Sequence, residues 1–315
     1  MAVSIGMAVA VQSRINGELG QRLHDGLIAA VLSNAGGLVL LLGLVAAQPM
    51  MRGGLRRVAT AVRARRLAPY QLLGGVCGAF LVACQGLTVA TIGVAVFTVA
   101  VVAGQAASAL LVDRAGIGPG RPQPISVRRA CGAAVALVAV ALAVSPRLGV
   151  PHTLWMSLLP VLAGAGTAWQ QAVNGLVAAA AQQDGRPRMR MLPAALINFA
   201  VGTAALAAGA AVDLAARGAP AAFPAQPWLY LGGPLGVLAV AASAAIVGRT
   251  GVLLLSLGAV AGQLLGSVLL DLLLPAGPPL TALTLMGTAL TLVAVAVAAP
   301  PARRPARPPV QGCSS

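Results

Sequence analysis

Gln12-Ser13-Arg14-Ile15-Asn16-Gly17 is answered 158 residues later by Gln170-Gln171-Ala172-Val173-Asn174-Gly175. The same offset carries Gly74-Gly75 and Gly78 onto Gly232-Gly233 and Gly236. It carries Gly93 onto Gly251, Gly104-Gln105 onto Gly262-Gln263, and Asp113 onto Asp271. A single offset across so many pairs marks a duplication. Both halves are very apolar, and a duplicated apolar chain is the design of secondary transporters, whose two repeats form a site between them.

Composition agrees. The chain is 58% hydrophobic and only 9% charged, against about 25% charged in a soluble domain. So few charges cannot cover a soluble globule of 315 residues. Apolar runs near the ~20 residues needed to span a bilayer recur along the chain. The net charge of +15 does not indicate a nucleic-acid partner, because the arginines sit in short segments between apolar runs, as a topology signal requires. Cys77 and Cys84 share one face of a helix but lie on different turns, too far apart for a disulfide. Cys131 and Cys313 lie elsewhere, and no metal-ligand spacing occurs. No basic segment precedes the first apolar stretch, which argues against a cleaved signal peptide.

Ten spans follow, at roughly 2–21, 26–48, 70–90, 92–112, 129–146, 154–181, 192–214, 228–247, 250–272 and 279–299. The expected fold is an all-α integral membrane protein of ten transmembrane helices. If the spans alternate, 17 of the 21 arginines fall on one side and only Arg14, Arg22, Arg147 and Arg217 on the other. Cytoplasmic N- and C-termini follow from that bias. Each half has five spans, an odd number, so the halves, 1–147 and 152–299, are expected as two inverted five-helix repeats. Segments 49–69 and 115–128 read as polar cytoplasmic loops. Residues 184–190 are an insertion in the second half, shifting the local match so that Ser33-Asn34 faces Asn198-Phe199. Residues 300–315, rich in Pro and Arg, read as a disordered cytoplasmic tail. The repeat sets Met1 opposite Leu159, so either the true start lies upstream or the first helix is a turn short.

Polar groups inside a membrane are costly and mark sites. Gln12 and Asn16 are four apart on one helix face, and Gln170 and Asn174 are the same pair in the sixth span. The four amides are candidate substrate-binding residues, to be weighed against plain interhelical hydrogen bonding at about 0.6 to 2 kcal/mol each. Gln105 and Gln263 follow glycines in the fourth and ninth spans, where packing competes with a cavity-lining role. Asp113 and Asp271 end those spans and suit a capping or anchoring role. Arg14 and Glu18 are four apart and lack counterparts, since Ala172 and Leu176 stand at the matching positions. Glu18 is the candidate coupling residue, a proton carrier, against the simpler expectation that both charges reach the outer interface. The Gly-Gly-x-x-Gly patterns let backbones touch, and Pro160, Pro193 and Pro234 are candidate kinks.

The Gln12 to Gly20 stretch, the Gly-Gly-x-x-Gly starts of the third and eighth spans, and the Ala-Gly-Gln runs Ala103–Asp113 and Ala261–Asp271 resemble the YdcZ-like inner-membrane proteins. These belong, with the EamA-type exporters, to the drug/metabolite transporter superfamily. The resemblance covers about residues 5–113 and 160–272, and this chain looks like a fused form of units that are often single five-helix proteins. It implies an exporter of small metabolites or drugs in the bacterial inner membrane, without supplying a substrate. A passive channel or a non-transporting membrane partner is the alternative. An enzyme is disfavoured, since His24 and His152 lie in different halves and no catalytic motif occurs. A nucleotide-driven pump is disfavoured by the lack of a phosphate-binding loop motif. No cofactor or metal is expected. The expected partners are a small-molecule substrate and the lipid bilayer, with a homodimer left open.

Overall fold

An apolar run that satisfies its own backbone as a helix is what lipid tolerates, and helix is what these runs form. The computed structural model describes residues 1–119, 122, 124–145, 151–182, 191–218, 220, 222–274 and 280–298. The helices among them are α1 (Ala2–Leu23), α2 (Gly26–Ala47), α3 (Pro49–Arg63), α4 (Gly74–Ile92), α5 (Val94–Ala115), α6 (Val127–Val144), α7 (Pro151–Ala181), α8 (Met191–Arg217), α9 (Gly232–Leu273) and α10 (Ala282–Ala298). Short 3-10 turns at Pro69–Leu73 and Pro227–Tyr230 lead into α4 and α9. No strand occurs among the described residues. The insertion at 184–190 and the tail at 300–315 lie outside them.

Local chemistry sets the boundaries. His24 in the left-handed region closes α1, and the Asp25 carboxylate caps α2 by accepting from the Leu27 and Ile28 amides at 2.9 Å each. Gly93, at φ +83°, separates α4 from α5, a conformation that side chains rarely adopt. Pro193 and Pro234 fall in the first turns of α8 and α9, where a missing N–H costs nothing, so they start helices rather than kink them. Pro160 lies inside α7.

Two elements differ from the sequence expectation. The segment read as a polar loop, 49–69, contains α3, an amphipathic helix whose Met51, Gly54 and Val58 are buried while Arg52, Arg56 and Arg63 are exposed. Its two glycines and many arginines hid a helical apolar period. The eighth and ninth spans, read as separate, fall within one helical element, α9, in which Gly251 is helical where Gly93 is not. The element is nonetheless folded back on itself. Gly232 and Gly236 lie on Asn16 and Gln12 of α1, while Ala259 and Gly262 lie on Gly6 and Val3. A straight helix would separate Gly236 from Ala259 by about 35 Å, yet their partners on α1 are only about 9 Å apart. The two arms of α9 therefore run in opposite directions along α1.

The first half of α5 is fully enclosed. Every residue from Val94 to Gly104 is buried, and Phe97, Val99 and Val101 join Ala139, Ala163 and Leu264 in one apolar cluster. Outward faces are apolar too: Val39, Leu111, Val212 and Leu272 are each about two-thirds exposed or more. Such a surface suits lipid rather than water. Four described helices are, by length and composition, apolar enough to cross a membrane: Gly26–Ala47, Pro69–Ile92, Val94–Ala115 and Leu192–Ala216.

Candidate functional site

The halves interlock through glycines. A Cβ on Gly104 of α5 would overlap the Val161 carbonyl of α7, and one on Gly164 of α7 would overlap the Val101 carbonyl of α5. The same crossing recurs 158 residues on. Gly262 of α9 meets the Val3 carbonyl of α1, and Gly6 of α1 meets the Ala259 carbonyl of α9. Each crossing joins a helix of one half to a helix of the other, backbone against backbone.

The amide pairs lie on similar crossings. Gln12 stands over Gly236 and Asn16 over Gly232, both on the first arm of α9. Gln170 stands over Gly78 and Asn174 over Gly74, both on α4. The polar pair of each half thus rests on the Gly-Gly-x-x-Gly of the other half. Without a Cβ on these glycines, the side-chain amides come close to the glycine backbone, as Asn16 Oδ1 does at Gly232.

The four amides do not form one cluster but two, related by the repeat. In the first, Asn16 Nδ2 donates to Gln85 Oε1 at 2.6 Å, and Gln85 Nε2 donates to Ser13 Oγ at 3.0 Å. Asn16, Ser13 and Gln85 are all buried. Asn16 Oδ1 and Ser33 Oγ, both facing Gly232, are buried without a hydrogen-bond partner in the structure. In the second cluster, Asn198 Oδ1 accepts from Gln170 Nε2 at 3.0 Å and Asn174 Nδ2 at 3.3 Å. Ser33 and Asn198 occupy matching places, under Gly233 and Gly75. The hydroxyl is too short for the bridge that the amide makes, so one cluster is closed and the other left incomplete.

Between the clusters, α2 meets α8. Asn34 Nδ2 donates to the Phe199 carbonyl at 3.1 Å and to Thr203 Oγ1 at 3.0 Å, close to Gly202. The Phe199 ring, at the matching position in α8, lies on Gly37 of α2. An amide and a phenyl ring therefore occupy equivalent seats at the centre.

Other candidates stand apart. Gln105 Nε2 donates to Gln171 Oε1 at 3.0 Å on an exposed face. Gln263 is half-buried on the second arm of α9, its backbone nitrogen close against Gly6. Glu18 holds two ion pairs, with Arg14 Nη2 at 3.5 Å and Arg22 Nη2 at 2.7 Å. Arg22 also lies over the Trp228 ring, 5.8 Å from its centroid. Asp271 accepts from the Val94 and Ala95 amides at 2.9 and 2.7 Å, capping α5 from the opposite half. Its mate Asp113 pairs instead with Arg129 at the start of α6.

Sequence reasoning missed Gln85 and Asn198. Gln85 has no amide mate, since Ser243 stands 158 residues on. Asn198 matches Ser33 across the repeat, so no amide pair marks that position. The glycine pair Gly6 and Gly164 was also missed, although the offset relates it. No group of three His, Cys, Asp or Glu side chains suited to a metal occurs among the described residues.

Residues 1–142 and 155–297 each match one family of proteins, described as "Putative inner membrane exporter, YdcZ". A search of curated proteins finds no match.

Proposed function

The chain belongs to this family of inner-membrane transporters, and on that premise we propose that it is a secondary transporter, an exporter of a small metabolite or drug working by alternating access. The halves 1–147 and 152–299 act as inverted five-helix repeats, giving ten spans with both termini cytoplasmic. Chain direction supports the inversion. α2 returns antiparallel to α1 after a two-residue turn. It starts beside Gly86 and reaches the level of Gly75 near Asn34, so it runs against α4. α4 in turn runs against α7, since Gly74 meets Asn174 and Gly78 meets Gln170. α1 and its repeat mate α7 therefore point in opposite directions, as inversion requires.

The observation that carries the proposal is the exchange of partners: the amides of each half lie on the glycine face of the other. Rocking the halves moves each amide pair over a smooth, side-chain-free surface. Gln12, Asn16, Gln170 and Asn174, with Gln85 and Asn198, then present donors and acceptors to a polar substrate, and no formal charge enters either cluster. Gln105 and Gln263 lie outside both clusters and would line only the approach. A thermal-shift screen of the purified protein against metabolites and antibiotics tests the site. A stabilising compound is expected to lose its effect in Asn16→Ala/Asn174→Ala and to keep it in Gln105→Ala. An unchanged shift in the double variant would place binding elsewhere.

Glu18 is the proposed coupling carboxylate, and to carry a proton it must break pairs with both Arg14 and Arg22. In proteoliposomes with an identified substrate, Glu18→Gln is expected to lose accumulation driven by a pH gradient while keeping exchange. Full gradient-driven transport by that variant would remove Glu18 from the mechanism.

A further inference from the structure

α3 lies across one end of the bundle. Its buried residues Met51, Gly54 and Val58 face the ends of α7 and α8: Val58 packs with Val177, Ala181 and Ala194, and Gly54 with Pro193. Two of its arginines are used inward. Arg52 donates to the Val45 and Ala46 carbonyls at the end of α2. Arg57 donates to the Ala181 carbonyl, the last residue of α7, at 2.9 and 3.1 Å. Cations at helix C-termini satisfy orphan carbonyls and the negative end of the dipole.

The other four are not used inward. Arg56 and Arg63 share the outward face of α3, and Arg65 and Arg66 follow its end, with all four exposed. Among the described residues they have no carboxylate partner, and 48–70 contains no acidic residue. Four uncompensated guanidiniums thus lie on and just after a helix seated where α2 and α7, two apolar helices, end.

We propose that Arg56, Arg63, Arg65 and Arg66 form a binding surface for anionic phospholipid headgroups of the membrane in which the protein sits. Juxtamembrane Arg clusters attract anionic lipid, and guanidinium forks match phosphate oxygens. Because the inner face of α3 rests on α7 and α8, bound lipid tethers a first-half helix that holds two second-half helices. The surface does not depend on what the protein transports.

The test uses full-length protein in phosphatidylcholine nanodiscs with and without phosphatidylglycerol. It reads the thermal midpoint and, by native mass spectrometry, the phosphatidylglycerol retained. The wild type is expected to be stabilised by phosphatidylglycerol and to retain it, less so at high salt. R56Q/R63Q/R65Q/R66Q is expected to lose roughly fivefold in lipid affinity for each Arg removed. R303Q/R304Q/R307Q, which also removes positive charge, is expected to behave as the wild type. Equal retention by the first variant and the wild type would overturn the proposal. So would an equal loss in the tail variant, or an equal stabilisation by inorganic phosphate in lipid-free detergent. Unchanged circular dichroism in phosphatidylcholine confirms that the first variant is folded.

Discussion

Gln85 and Asn198 do the same work in the two halves by different routes. Gln85, fully enclosed, holds Asn16 and Ser13, whereas Asn198, half-buried, gathers Gln170 and Asn174. Replacing Gln85 by Ala leaves the Asn16 amide donor without its partner in a dry place, at a cost of about 1–3 kcal/mol. Its thermal midpoint in detergent is expected to fall further than that of Asn198→Ala, whose stranded amides are less deeply enclosed. The reverse order would mean that the second cluster carries the packing. Glycines make a sharper contrast. Gly164→Ala drives a methyl into the Val101 carbonyl, and overpacking of this kind costs about 1–3 kcal/mol. Gly43 has nothing within 4 Å of an added Cβ, so Gly43→Ala is expected to be neutral or to stabilise by up to about 1 kcal/mol, the helix propensity difference. A thermal midpoint that falls equally in both variants would contradict the crossing. The paired amides of the candidate site were legible as a repeated motif because duplication wrote them twice. Gln85 was not, since its partner reaches it only through folding, and nothing in a repeat offset records a contact between α1 and α4.

At the level of elements, the two aspartates that end α5 and α9 behave differently. Asp271 caps α5 where Gly93 breaks the backbone, and Asp113, its mate, is held by Arg129. The cause is visible in the chain: Gly287 stands where a second arginine would be needed to hold Asp271 likewise. Asp271→Ala is expected to raise hydrogen–deuterium exchange of the Val94–Phe97 amides about tenfold, while Arg129→Gln, at a separate site, leaves them unchanged. Exchange that stays slow in Asp271→Ala would mean that Gly93 and the surrounding packing alone fix the start of α5. The ends of most helices were legible from apolar runs and turn residues, but α3 was not. Its period of Met51, Gly54, Val58 and Val62 is short and crossed by arginines, and only the ends of α7 and α8 give its inner face something to cover.

For the whole molecule, the exchange of partners governs folding. α1 packs on α9, α4 on α7 and α8, and α5 on α7, so each half finds glycine partners in the other, beside those that Gly20, Gly26 and Gly86 make within the first half. Fragments 1–147 and 152–315 expressed alone are expected to be degraded or protease-sensitive, and expressed together to copurify and regain resistance. Independent folding of either fragment would show that the crossings are secondary. The duplication made the pairing of halves legible in the sequence. Their interlocking was not, because an offset reports that two segments are alike and not that each lies against the other's neighbour. The same interlocking imposes a schedule on biosynthesis. The α1 backbone around Gly6 closes on Ala259, about 250 residues later, and at roughly 5–20 residues per second the ribosome needs on the order of 10–50 s to deliver it. For that interval a helix bearing Gln12, Arg14, Asn16 and Glu18 must wait beside the insertion machinery with Gly6 uncovered, while Gly17 and Gly20 close earlier on α4. Early retention of the first helix by the insertase, rather than its immediate release into lipid, is the price of placing its permanent neighbour near the end of the message.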